Sequence, residues 1–126
     1  MRSEIDYFAK IIEISSQLLS ENQLLDAAFM HYEFMQEIIR FLSEKYLLKE
    51  AYENPFNTEM AYLKIRKKLE EENKEALSQS LALAWKSAKE IKDEVRSGSL
   101  ASEDLIKEDI DNIRRFWNRI KNFIEE

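Results

Sequence analysis

The sequence has little that interrupts a helix and nothing that can form a disulfide. Its 126 residues include one glycine, one proline and no cysteine. Without cysteine there is no disulfide, no thiolate metal site and no cysteine nucleophile, a composition that suits a reducing cytoplasm. Because glycine and proline mark the turns between strands, their scarcity predicts an all-α fold.

Long apolar runs are also missing. No stretch approaches the roughly 18 consecutive apolar residues of a membrane span, and the first residues, MRSEIDYF, carry acids where a secretory signal would be basic. We therefore expect an untargeted cytoplasmic protein with no membrane association. The net charge of −6 repels nucleic acid at long range, so binding it would need a local basic patch.

Length and composition predict one folded domain over residues 1–126. Hydrophobic residues make up 44% of the chain and charged residues 35%, which is typical of globular proteins. A chain of this size buries about two thirds of its unfolded surface, enough for a core without metal or disulfides. The abundance of lysine and glutamate is also typical of thermophilic proteins.

Residues 23–47 predict a helix that is apolar around most of its circumference. One stripe at alternating steps of four and three contains Ala28, Tyr32, Met35, Ile39, Leu42 and Tyr46. A second stripe, with His31 in its gap, contains Ala27, Phe34, Ile38 and Phe41. Such a helix must be covered from two sides. We place it at the centre of the fold, with the second stripe packed either in its own bundle or in a dimer interface.

Further segments carry the same spacing. Helices are expected over residues 3–19 and 59–69, from residue 77 to a cap at Gly98, and after a start at Ser102. Pro55 predicts a loop over residues 49–57, with Asn57 or Thr58 capping the next helix. A capping box of Ser20 and Gln23 predicts a tight first turn, and the stripe breaks near Asn73. The pattern predicts an antiparallel up-and-down bundle of four to five helices.

His31 is the one histidine. Its neighbours at helical spacing, Ala27, Phe34 and Ile38, are apolar, which favours a packed or interface histidine over a catalytic base. No Glu-x-x-His pair exists to build the di-metal centre of helical bundles, and one imidazole cannot supply a usual zinc site. We expect no catalytic residue, no metal and no cofactor.

Two acidic motifs, EENKE and EIKD, are the sharpest local match to an enzyme. They resemble the EExxE and ExxD pattern of MazG-like nucleotide pyrophosphohydrolases, whose carboxylates hold Mg²⁺ against a triphosphate. Those enzymes place the motifs on two helices joined by a turn, whereas the intervening residues here predict unbroken helix. A solvated charged face is therefore favoured, and the alternative metal ligands are Glu71, Glu72, Glu75, Glu90 and Asp93.

Basic residues cluster twice along the chain. The first cluster contains Lys64, Arg66, Lys67 and Lys68, and the second contains Arg114, Arg115, Arg119 and Lys121. The second lies beside Trp117, which suggests nucleic-acid binding by charge and stacking. Because Trp117 belongs to an apolar stripe and acids lie one turn earlier, solvated helix faces explain both clusters more simply. The candidate binding residues are His31, Arg114, Arg115 and Arg119.

Three segments of the chain resemble, when taken together, the helical HEPN superfamily and are nearest to its archaeal PaREP-type members. The segments are LLSENQLLDAAFMHYEFMQEIIRFL, AWKSAKEIKDEVRSG and LIKEDIDNIRRF. The matching residues chiefly pack helices: Leu18, Leu19, Asn22, Asp26, Ala27, Ala28, Tyr32, Glu37, Trp85, Ala88, Gly98, Asp109 and Ile113. The resemblance implies an up-and-down bundle that pairs as a homodimer, in a superfamily of ribonucleases and of inactive nucleotide- or nucleic-acid-associated modules.

The ribonucleases of that superfamily carry, on a late helix, an arginine followed four to six residues later by a histidine. Ile120, Lys121 and Asn122 follow Arg114 and Arg115 where the histidine is needed, so RNA cleavage is not carried over. We expect a non-catalytic, homodimeric interaction or nucleotide-associated module, and a protein or nucleic-acid partner stays open. The alternatives are a MazG-like pyrophosphohydrolase and a HEPN-type ribonuclease with a degenerate motif.

Overall fold

Helices account for all regular structure in the computed structural model, which describes residues 2–46, 55–97 and 103–125. The helices within these ranges are α1 (Arg2–Ser20), α2 (Leu24–Tyr46), α3 (Thr58–Glu71), α4 (Glu75–Ser97) and α5 (Glu103–Glu125). The predicted all-α bundle is confirmed. No described helix combines the length and the apolarity needed to cross a membrane.

Two asparagines close the turns between α1 and α2 and between α3 and α4. Asn22 and Asn73 both have positive φ, 60° and 61°, a conformation that asparagine tolerates better than most residues. The N–H of the following residue donates to Leu18 O at 2.9 Å in the first turn and to Leu69 O at 2.8 Å in the second. Both turns are thus Schellman motifs, and the predicted break near Asn73 is confirmed.

The predicted helix caps have different outcomes. The capping box of Ser20 and Gln23 is wrong, because Ser20 Oγ donates to Gln17 O at 2.7 Å and the turn is closed by the backbone bonds around Asn22. The cap at Asn57 is confirmed, since its Oδ1 accepts from the N–H of Met60 at 3.0 Å. Residues 49–54 of the predicted loop, Gly98 and Ser102 lie outside the described residues.

Helix α2 lies at the centre, as predicted, and packs against α1, α3, α4 and α5. Ala27, Phe34 and Ile38 of its second stripe are fully buried, and Phe41 is half-buried against the same core. This stripe therefore packs within its own chain. The dimer interface that we gave as the alternative for this stripe is not needed to cover it, whereas Leu25 and Phe29 on the same helix stay 45% and 48% exposed.

Aromatic rings join α1, α2 and α5 in the core. Phe8 lies edge-on to Phe34 with ring centroids 5.6 Å apart, and Trp117 lies edge-on to Phe34 at 5.7 Å. The apolar stripe to which Trp117 belongs is buried along α5: Ile106, Ile110, Ile113, Trp117, Ile120 and Ile124. Since α5 packs against α1, α2 and α4, this stripe faces inward and the opposite side of α5 is left to the surface.

Candidate functional site

The four candidate binding residues fall in two separate places. His31 is fully buried and interacts electrostatically with Arg114, which is half-buried between α5 and α1. Arg115 and Arg119 are exposed and face α4 across the surface of the bundle. Successive residues on a helix point about 100° apart, so Arg114 and Arg115 diverge although they are neighbours in sequence.

Arg115 and Arg119 line an open cavity of about 300 Å³ between α4 and α5. Most of the residues that line this cavity are polar. The full lining is Ala76, Gln79, Ser80, Leu83, Asn112, Arg115 and Arg119. Arg115 Nη1 donates to Asn112 Oδ1 at 3.3 Å, and Asn112 Nδ2 donates to Ser87 Oγ at 3.1 Å. Asn112 therefore ties Arg115 to the surface of α4.

A second cavity of about 330 Å³ adjoins the first and shares Ala76 and Arg119 with it. Its other lining residues are Lys74, Leu77, Asn122 and Phe123. Lys74 Nζ lies 5.0 Å from the centroid of the Phe123 ring. We call the two cavities together the α4–α5 groove.

The α4–α5 groove is cationic in a protein of net charge −6. Lys74, Arg115 and Arg119 line it, and its lining within the described ranges contains no carboxylate. One half is lined mainly by polar residues, and the other half, around Leu77 and Phe123, is more apolar. Such a surface can bind an anion that also carries an apolar or aromatic part.

His31 is held neutral inside the bundle. Its Nδ1 lies 2.8 Å from Ala27 O, and because a carbonyl can only accept, Nδ1 carries the proton. Burial is the main cause that lowers the pKa of His31, and the charge of Arg114 lowers it too. The hydrogen bond with Ala27 and the charge of Asp111 raise the pKa but offset only part of the decrease, so it is about 4. The structure confirms the packed histidine that the sequence favoured, since His31 is fully buried.

Arg114 forms a hydrogen bond with α1 and does not line the α4–α5 groove. Its Nη2 donates to Ser16 Oγ, and Ser16 Oγ donates to Ile12 O at 2.9 Å. The structure therefore brings Arg115 and Arg119 together and places Arg114 with His31. A single surface cluster of three arginines, which an RNA-binding role for all of them would need, is not formed.

The acidic motifs do not converge. Helix α4 runs unbroken through Glu75–Ser97, so no turn separates Glu75 from Glu90. All five carboxylates proposed as alternative metal ligands are exposed: Glu71, Glu72, Glu75, Glu90 and Asp93. Among the described residues no group of three histidine, aspartate or glutamate side chains is placed to hold a metal ion.

One carboxyl pair was missed by the sequence reasoning. Asp109 on α5 is 7% exposed and hydrogen-bonds with Glu90 and Ser87 on α4. Burial, followed by the hydrogen bond and charge of Glu90, raises the pKa of Asp109 to about 7 even though the hydrogen bond with Ser87 lowers it. The signal available in the sequence was the position of Asp109 beside Ile110, at the edge of the apolar stripe of α5.

Comparison with known proteins gives one partial similarity. No family model and no solved structure matches the chain. The holo-[acyl-carrier-protein] synthase of Pectobacterium carotovorum subsp. carotovorum (strain PC1) is 36% identical over 55 residues. That stretch is 44% of this chain and 44% of the synthase, so the chain spans less than half of its curated relative. The similarity does not reach the extent that shows a family, and the HEPN resemblance stays a prediction.

Proposed function

We propose that the protein is a non-catalytic helical module that binds a nucleotide-type ligand, a free nucleotide or the nucleotides of a single strand, in the α4–α5 groove. The observation that carries the proposal is the set of three cations, Lys74, Arg115 and Arg119, in a groove whose described lining has no carboxylate. In an acidic protein, this local excess of positive charge favours phosphate.

The two halves of the groove suit the two parts of a nucleotide. The guanidinium groups of Arg115 and Arg119 can each offer paired N–H donors to phosphate oxygens. Leu77, together with the Phe123 ring that Lys74 overlies, gives this half an apolar wall against which a base can pack. The cavity volumes lie at the lower end of the range of small-molecule sites, about 300–1,000 Å³. The resemblance to a superfamily with nucleotide-associated members adds independent support.

The test is binding of fluorescently labelled AMP, ATP and a short single-stranded RNA, followed by fluorescence anisotropy. The double variant R115A/R119A should weaken binding at least about tenfold, because each charge-assisted hydrogen bond contributes about 1.5–3 kcal/mol and 1.4 kcal/mol is a tenfold change. The matched control is K67A/K68A, which removes two exposed charges from α3 and should change affinity less than about threefold.

The salt dependence separates contact from general attraction. If Arg115 and Arg119 contact phosphates, the magnitude of the slope of log affinity against log salt for single-stranded RNA should fall by about 1.4 in R115A/R119A. Tighter binding of RNA than of AMP or ATP would identify a strand as the ligand, and the reverse order would identify a free nucleotide. Equal losses in R115A/R119A and K67A/K68A would contradict the proposed site.

We also propose that the module pairs as a homodimer through α1. Since the second stripe of α2 is covered by its own chain, we assign the pairing to a surface other than that stripe. Tyr7 and Ile14 are 52% and 40% exposed on the outer face of α1, with Ile11 and Leu18 half-buried beside them. Their spacing of four, three and four is the seam of a helix pair.

Light scattering after gel filtration tests this proposal at micromolar concentration. The wild type should run at twice the mass of one chain, 15.1 kDa, and I14E should run as a folded monomer. The control is L63E, which places a charge on a leucine of α3 that is 54% exposed and should leave the mass unchanged. A monomeric wild type would overturn the proposal.

A further inference from the structure

Three buried polar atoms have no hydrogen-bond partner within the described ranges. They are Ser15 Oγ on α1, His31 Nε2 on α2 and Arg114 Nε on α5. An unpaired buried polar group costs about 1–3 kcal/mol, and such groups are few in folded proteins. Three of them, on three helices that meet, point to one shared partner.

The packing places these atoms in one region of the bundle. Arg114 lies one turn before Trp117 on α5, and His31 lies one turn before Phe34 on α2. The rings of Trp117 and Phe34 are in contact, with their centroids 5.7 Å apart. The positive charge of Arg114 acts on the His31 ring and disfavours its protonation. Ser15 is fully buried two turns after Phe8, on the side of α1 that packs against Phe34 and Trp117. The three side chains therefore surround the junction of α1, α2 and α5.

The chemistry of the three atoms defines what can join them. Arg114 Nε–H can only donate, and His31 Nε2 can only accept because the ring proton is on Nδ1, facing Ala27 O. The hydroxyl of Ser15 can do either. We infer that one buried water molecule bridges Ser15, His31 and Arg114, accepting from Arg114, donating to His31 and exchanging a hydrogen bond with Ser15.

Other small ligands fit this set less well. An anion would face the lone pair of His31, which stays neutral because burial lowers its pKa to about 4. A cation would lie against the guanidinium of Arg114. Water supplies both a donor and an acceptor, and buried waters typically make about three hydrogen bonds to groups that lack a protein partner. Such a water links the three helices and exchanges only when they separate.

The test is NMR of the whole chain, labelled with ¹³C and ¹⁵N. The ring protons of His31 should show cross-peaks to the water resonance, of opposite sign in NOE and ROE spectra, which marks a water that stays bound while the protein tumbles. The ¹⁵N shifts of His31 should show the proton on Nδ1. The control is Phe116, which is fully buried on α5 and has no exchangeable side-chain proton, so its ring protons should show no such cross-peak.

The variant S15A distinguishes water from an exchanging serine hydroxyl. The cross-peak at His31 should persist in S15A, because Arg114 and His31 still hold the water, whereas a signal relayed by the hydroxyl of Ser15 would vanish. Loss of the cross-peak in S15A, its absence in the wild type, or a proton on His31 Nε2 would each overturn the proposal. A crystal structure with Ser15 Oγ directly bonded to His31 Nε2 would do the same.

Discussion

Trp85 on α4 donates its indole N–H to the carboxylate of Glu59 on α3, with 2.5 Å between Nε1 and Oε2. Lys89 contacts the other oxygen of Glu59 at 3.1 Å. Although partial burial raises the pKa of Glu59, the hydrogen bonds from Trp85 and Lys89 outweigh it and leave that pKa below its usual value. The first turn of α3, set by the cap at Asn57, is thereby joined to α4.

Removing the indole N–H should weaken this connection. We expect Trp85→Phe to lower the free energy of unfolding by about 1–2 kcal/mol, because a hydrogen bond to a charged group is lost while most of the ring packing remains. Urea denaturation measures the change. In a Glu59→Ala background the same substitution should cost about 1 kcal/mol less, and strict additivity of the two changes would contradict a direct interaction.

The Asp109 and Glu90 pair should make stability fall as pH rises. The folded protein holds a proton on Asp109 up to pH of about 7, whereas the ordinary pKa of the side chain is 3.8. Between these values the folded state binds more protons than the unfolded state, so this group's contribution is fullest below pH 3.8 and is lost by pH 7. Asp109→Asn, which cannot ionise, should therefore be more stable than the wild type at pH 8, by on the order of 2 kcal/mol.

The control for Asp109→Asn is Asp93→Asn, an exposed position on α4. Urea denaturation of both variants and the wild type at pH 5 and pH 8 isolates the contribution of Asp109. The difference between Asp109→Asn and the wild type should grow with pH, and the difference for Asp93→Asn should not. A difference that stays constant between the two pH values would show that Asp109 ionises normally.

His31 should make the stability of the folded protein fall as pH falls, opposite to the effect of Asp109. Its pKa falls from 6.5 to about 4 in the folded state, so between these values the unfolded chain binds more protons. Its contribution is present above pH 6.5 and is lost as pH falls toward 4. Relative to His31→Gln, the wild type should lose on the order of 2–3 kcal/mol between pH 7 and pH 4. NMR titration checks the cause, because the ring shifts of His31 should stay constant down to pH of about 5.

Helical periodicity predicted the parts of this fold that depend on local sequence. The steps of four and three placed both stripes of residues 23–47 and the stripe of α5 in the core, because a residue's side of a helix follows from its position. The same rule could have separated Arg114 from Arg115. Arg114 stands three residues before Trp117 in the core stripe, whereas Arg115 and Arg119 share the outer face.

Contacts between helices could not be predicted in this way. The pairing of Asp109 with Glu90 and of Trp85 with Glu59 depends on how α5 and α3 are set against α4, which periodicity leaves open. The α4–α5 groove is a further case, since Lys74 and Arg119 come together only when those two helices pack. The choice between dimer interface and core for the second stripe of α2 also depended on how many helices surround it.

The two asparagine turns provide a final prediction on the hairpins. Asn22 and Asn73 have φ of 60° and 61°, where a side chain with Cβ costs roughly 1–2 kcal/mol and glycine costs little. Asparagine offsets part of this cost through local hydrogen bonding of its side chain. We therefore expect Asn22→Ala and Asn73→Ala each to lower the free energy of unfolding by about 1 kcal/mol, and Asn22→Gly and Asn73→Gly to be neutral or slightly stabilising.

The control is Asn118→Ala, at an exposed position inside α5, which should stabilise by a few tenths of a kcal/mol because alanine is the better helix former. Urea denaturation of the five variants separates the two causes. If alanine were tolerated at Asn22 and Asn73 as well as at Asn118, the left-handed turns would not be what sets the ends of α1 and α3.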